Sequence, residues 1–105
     1  MSIMKVITMD DISARIDQLR REILIHSIVY YRFNENLIDD HEWARMGIEL
    51  CELQDLYPEI ADRCVYADAF KDFDPSTGQN LPLDDPWAVN KALYLLELYG
   101  RKVRE

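Results

Sequence analysis

The sequence predicts an all-α domain of four helices, and three observations lead there. Apolar residues recur at steps of three and four over long stretches, turn-rich breaks at Asn34-Glu35-Asn36 and across residues 74–85 divide them, and capping residues stand where the stretches begin. A chain of 105 residues, half of them apolar, has room for one domain spanning residues 1–105 with one modest core.

The first eight residues after Met1, 2–9, form a short apolar segment, either a β-like arm or a disordered start. Helix one is predicted from Asp10 or Asp11, whose carboxylates can cap exposed amides, to about Phe33. Its stripe is Ile12, Ile16, Leu19 and Ile23, continued by His26 and Tyr30, while Arg15, Asp17, Arg20, Arg21 and Glu22 fill the polar side. After the Asn34 break, Asp39 caps helix two and Glu42, three places on, is its reciprocal partner in a capping box. Trp43, Met46, Leu50 and Leu53 form its stripe, and Pro58 stops it. A second stripe of small or polar residues, Asp40, Ala44, Gly47 and Cys51, suits a ligand or the close approach of another segment. Helix three is predicted over residues 59–73, with Ile60, Cys64 and Ala67 on one face. Residues 74–85, with Pro75, Gly78 and Pro82, read as a loop. Asp85 before Pro86 starts helix four, which should end at Gly100. That helix is apolar nearly all round, so it is expected either at the centre of the bundle or under a partner.

The net charge of −8 is uneven. Residues 41–85 carry eleven acids against three bases, whereas residues 86–105 carry two acids against four bases. With no basic stripe, direct binding to nucleic acid is not expected. No apolar signal core or spanning segment appears, so the expected location is cytoplasmic, away from membranes. Cys51 and Cys64 have neither a C-x-x-C spacing nor a histidine at ligand spacing, and read as buried free thiols. Asp72, Asp74, Ser76, Gly78 and Asn80 faintly resemble a calcium loop, but Thr77 holds the glycine position and Leu83 that of the bidentate glutamate, so no metal is expected. His26 reads first as a hydrogen-bonded structural histidine, and Tyr30 and Trp43 first as packing residues.

From Leu19 to Ile60 the chain runs LRREILIHSIVYYRFNENLIDDHEWARMGIELCELQDLYPEI. In the order Arg20, Ile23, His26, Tyr30-Tyr31, Ile38, Asp40, Glu42, Met46, Glu49-Leu50, Leu53 and Pro58-Glu59 it resembles the helix-loop-helix module that opens NAD-dependent bacterial DNA ligases. Residues 61–105 match nothing in that family. The resemblance implies a fold that closes over the nicotinamide mononucleotide (NMN) half of NAD. Its ligand contacts, carried over by position, fall on Tyr30, Tyr31 and Asp40. The last family contact pair, tyrosine then aspartate, is replaced by Trp43 and Ala44. Tryptophan keeps a flat face for stacking, but alanine removes a carboxylate, and losing one charge-assisted hydrogen bond weakens binding roughly ten- to a hundredfold. The cofactor-binding candidates are therefore Tyr30, Tyr31, Asp40 and Trp43, with NMN or NAD as ligand.

No catalytic residue is expected. The ligase lysine sits in K-x-D-G, and none of Lys5, Lys71, Lys91 or Lys102 begins that pattern. Small proteins of this arrangement resemble ligase-related proteins of bacteriophages and prophages. Three roles follow: a non-enzymatic regulatory protein that binds a host or phage protein, or its own copies, through helix four and the acidic middle; a weak NMN or NAD binder or sensor; and an accessory acting in trans on a DNA ligase. The first is preferred because half the nucleotide contacts are lost while apolar helix surface is kept.

Overall fold

The computed structural model describes residues 8–104, with side chains described over 8–100. Four helices follow in order: α1 (Met9–Phe33), α2 (Asp40–Leu56), α3 (Pro58–Ala61) and α4 (Pro86–Arg104). No strand occurs among the described residues. The all-α class is as predicted.

α1 starts one residue early because Thr8 caps it in place of Asp10 or Asp11. The Thr8 hydroxyl accepts from the Asp11 amide and the Asp11 carboxylate accepts from the Thr8 amide, a complete capping box. The expected arm over 2–9 lies outside the described residues except at Thr8 and Met9, which open the helix. Asn34 ends α1 in the left-handed conformation at φ 55°, one of the few side chains that tolerate it. α2 then folds back on α1, with Asp39 accepting from the Glu42 amide at 2.8 Å. The reciprocal half of that box is not made: the Glu42 carboxylate pairs with Arg45 instead.

α1 is the centre of the molecule. Ile16, Leu19, Ile23, Leu24, Ile28 and Val29 are buried on several sides of it, and α2, α3 and α4 each pack against it. α4 touches no other described helix. Its Ala88 and Ala92 are buried, but Trp87, Leu93, Tyr94, Leu98 and Tyr99 are exposed, so of the two positions expected for helix four the centre of the bundle is ruled out. Its start is as predicted, with Asp85 Oδ2 accepting from the Ala88 amide at 3.0 Å. Its end is not: the helix continues through Gly100 to Arg104.

The third helix is the largest departure. It spans four residues, not fifteen, and residues 62–72 form consecutive turns. The cause lies on α1. Arg20, placed on the polar side by its charge, is 2% exposed, and its Nη1 donates to the carbonyls of Ala61 at 2.9 Å and Val65 at 3.0 Å. Its Nε and Nη2 both donate to Gln54 Oε1 on α2. Asp17 accepts from the Val65 amide at 3.0 Å. Backbone groups that would have bonded within a helix are thus taken by two α1 side chains. Tyr66 then turns the chain at φ 57°, held by its hydroxyl, which donates to Asp85 at 2.9 Å. Burial and that bond push the Tyr66 phenol up to about 12, so it stays a donor. The turns bring Phe70 into the core, where it is fully buried against the Arg20 guanidinium.

Cys64 is buried beside Ser13, whereas Cys51 is only half-buried and its thiol points at the Phe73 carbonyl. Both are free. No described helix is long and apolar enough to cross a membrane.

Candidate functional site

A cleft of about 170 Å³ opens where α1 ends and α2 begins. Its floor and one wall come from α1, with His26, Ser27, Tyr30 and Tyr31. The α1–α2 turn adds Glu35, Asn36, Leu37 and Ile38, and the start of α2 adds Asp39, Asp40 and Trp43. All four sequence candidates, Tyr30, Tyr31, Asp40 and Trp43, therefore line one cavity. The helical repeat accounts for this: residues 26, 27, 30 and 31 share one side of α1 over its last two turns, facing the first turn of α2. Tyr30 and Tyr31 meet edge to face, ring centroids 4.8 Å apart at 87°, and both remain exposed enough to receive a flat ligand.

Ala44, the position of the lost carboxylate, does not line the cleft and is exposed. The small-residue stripe on α2 is covered by the chain at Gly47, while Asp40 and Ala44 stay exposed. A Cβ on Gly47 would stand 3.1 Å from the Cβ of Pro75, so the 74–85 loop lies against α2 there.

That loop supplies what sequence reasoning missed. Ser76 lines the cleft, and the hydroxyls of Thr77 and Tyr31 are hydrogen-bonded at 2.9 Å. Gly78 packs into the angle between α1 and α2: a Cβ there would stand 2.1 Å from Ser27 Oγ, 2.9 Å from Ser27 Cβ and 3.0 Å from Trp43 Cη2. The available signal was Gly78 within a turn-rich Asp-Pro-Ser-Thr-Gly run. Nothing local says where such a run docks. Asp74, the second acid of the faint calcium pattern, instead closes a turn by accepting from the Ser76 amide and hydroxyl. No group of acids, histidines and cysteines placed to hold a metal occurs among the described residues.

His26 does not match its expected state. Its Nδ1 is buried with no hydrogen-bond partner. Burial pushes the imidazole below its ordinary range, only partly opposed by Glu22, so it is neutral at pH 7. The unfolded chain binds a proton at His26 near pH 6.5 while the folded chain resists it. Stability from this group is fully present above about pH 6.5 and should fall as the pH drops toward the folded value. Melting midpoints at pH 7.5 and 5.5 test this: the wild type should lose more stability than His26→Phe, and equal losses would refute it.

With this geometry in view, the sequence was compared with known proteins. The sequence model of the family described as "DNA ligase-like, N-terminal NAD+-binding domain" matches residues 9–63, which comprise α1, the turn, α2 and α3. The chain belongs to this family. Among curated relatives it is similar to the DNA ligase of Pseudothermotoga lettingae, 43% identical over 51 residues, 49% of this chain and 8% of the relative. The DNA ligase of Cellvibrio japonicus is 45% identical over 49 residues, 47% of the chain and 7% of the relative. A longer match, 33% over 72 residues, covers 64% of the chain and 11% of the DNA ligase of a Thermoanaerobacter species. The chain thus spans less than an eighth of the length of these ligases. No solved structure matches. Every cleft residue from α1, the turn and α2 falls inside the family match, and Ser76, Thr77 and Gly78 fall outside it.

Proposed function

We propose that this domain binds the nicotinamide portion of a nicotinamide nucleotide in the α1–α2 cleft, weakly and without catalysing a reaction on it. The observation that carries this reading is the convergence of Tyr30, Tyr31, Asp40 and Trp43 on one cavity within the NAD+-binding family match. The cavity, at about 170 Å³, is smaller than the roughly 300–1,000 Å³ that buries a drug-sized ligand, which suits one ring and its sugar rather than a dinucleotide. Half-buried Trp43 offers a face for stacking, and Asp40, exposed at the first position of α2, offers an acceptor to ribose hydroxyls. The absence of a K-x-D-G lysine supports a non-catalytic role.

Calorimetric titration of NMN into the full chain checks this reading. A dissociation constant weaker than about 10 μM is expected, with a further loss of about tenfold in Trp43→Ala. In the same sample, incubation with NAD should leave the intact mass unchanged; a gain of one adenylate would overturn the non-catalytic part. No heat at millimolar NMN and none with millimolar nicotinamide riboside would overturn the binding part.

A second reading, docking of a protein partner or a second copy on α4, is favoured by one observation. Trp87, Tyr94 and Leu98 lie at successive helical steps of seven and four, and all three are exposed. This is the interaction role for which the sequence argues. The cleft gathers all four candidate residues inside the family match, which favours the nucleotide reading.

A further inference from the structure

We infer that the cleft selects pyridinium nucleosides, which carry a fixed positive charge and no phosphate, over the corresponding phosphorylated nucleotides. This rests on the nicotinamide reading above and adds the ligand's charge state to it.

Glu35, Asp39 and Asp40 stand around the cleft, and no lysine or arginine lines it. The one basic side chain present, His26, is neutral at pH 7 because it is buried. The nearby arginines are engaged elsewhere. Arg32 donates to the Leu83 carbonyl and lies over Phe33, Arg45 pairs with Glu42, and Arg15 pairs with Glu49. At the start of α2 the Asp39 carboxylate accepts from the Glu42 amide and already sets a negative charge against the helix end. A phosphate held here would meet carboxylates and find no cation. A pyridinium ring meets the opposite field: the electron-rich faces of Tyr30, Tyr31 and Trp43 attract it, and the carboxylates add to that attraction. Neutral donors and acceptors for ribose are also present in Asn36 and in Ser76 from the loop outside the family match.

Carboxylates around the cleft oppose a phosphate and favour a cationic ring, so a preference of about tenfold or more is expected. The experiment titrates the full chain with nicotinamide riboside, with NMN and with reduced nicotinamide riboside, whose ring is neutral, following amide shifts by NMR. The riboside should bind about tenfold or more tightly than NMN and more tightly than its reduced form, and added salt should narrow the first gap. In Glu35→Gln/Asp40→Asn the riboside should weaken while NMN strengthens, an opposite movement that misfolding cannot produce. If NMN binds as tightly as the riboside, the charge inference is overturned and the nicotinamide reading stands. If none of the three shifts the cleft amides, both are overturned.

Discussion

Arg20→Ala should destabilise the domain by about 3–5 kcal/mol, the largest loss expected from any single exposed-looking residue in the sequence. Four hydrogen bonds disappear with the guanidinium, and the carbonyls of Ala61 and Val65 lose their Arg20 donor on the inner side of the turns. The Ala61 carbonyl keeps the Cys64 amide at 3.2 Å, but the Val65 carbonyl is left unmet at a cost of about 1–3 kcal/mol, and the lost bonds to Gln54 and the space beside Phe70 add to that. Against a total of roughly 5–15 kcal/mol for a small domain, the melting midpoint should fall by about 12 °C or more. Arg20→Lys should recover little, because a single ammonium cannot reach two carbonyls and Gln54 together. Arg15→Ala serves as the contrast. It also breaks an α1–α2 contact, a two-point pair with Glu49 at 2.5 and 2.7 Å, yet both partners are about a third exposed, so the cost should stay under about 1 kcal/mol. Equal midpoints for the two variants would show that Arg20 does not organise the turns.

Gly78→Ala should move the loop off the cleft. The backbone at Gly78 is not left-handed, so the constraint is space alone: the new methyl would overlap Ser27, whose hydroxyl is itself bonded to the Ile23 carbonyl at 2.7 Å. Overpacking of this kind costs about 1–3 kcal/mol, and the Tyr31–Thr77 bond goes with it. Trp43 would become more exposed, which a red shift in its fluorescence reports, and riboside or NMN binding should weaken. The rescue is specific. Ser27→Gly removes both offending atoms, so Gly78→Ala combined with Ser27→Gly should be less destabilised than the sum of the two changes, with a coupling of about 1 kcal/mol. Additive costs would mean that the loop has another anchor.

The two halves of the molecule differ in how far they can be read without coordinates. In α1 and α2 the apolar period, the Asn34 break and the Asp39 cap all act within a few residues of one another, and the observed limits agree with the expected ones to within a residue. The period also tells that Tyr30, Tyr31, Asp40 and Trp43 are brought near each other, because a short turn joins the end of one helix to the start of the next. Three things could not be read that way. Arg20 looks like a surface residue until its distant acceptors are known, and those acceptors lie 34 to 45 positions along the chain. The helix expected over 59–73 is permitted by local propensity and is undone by Arg20 and Asp17, since a buried charged donor left without acceptors costs more than the lost turns of helix. The third wall of the cleft depends on Gly78 meeting Ser27 across 51 positions, a fit set by shape. The sequence alone therefore determined the helical hairpin and the cluster of rings at its bend, because those rest on local periodicity. The tertiary structure decided where residues 62–85 run and how the cleft is closed, because hydrogen bonds and close packing between distant residues override local preference.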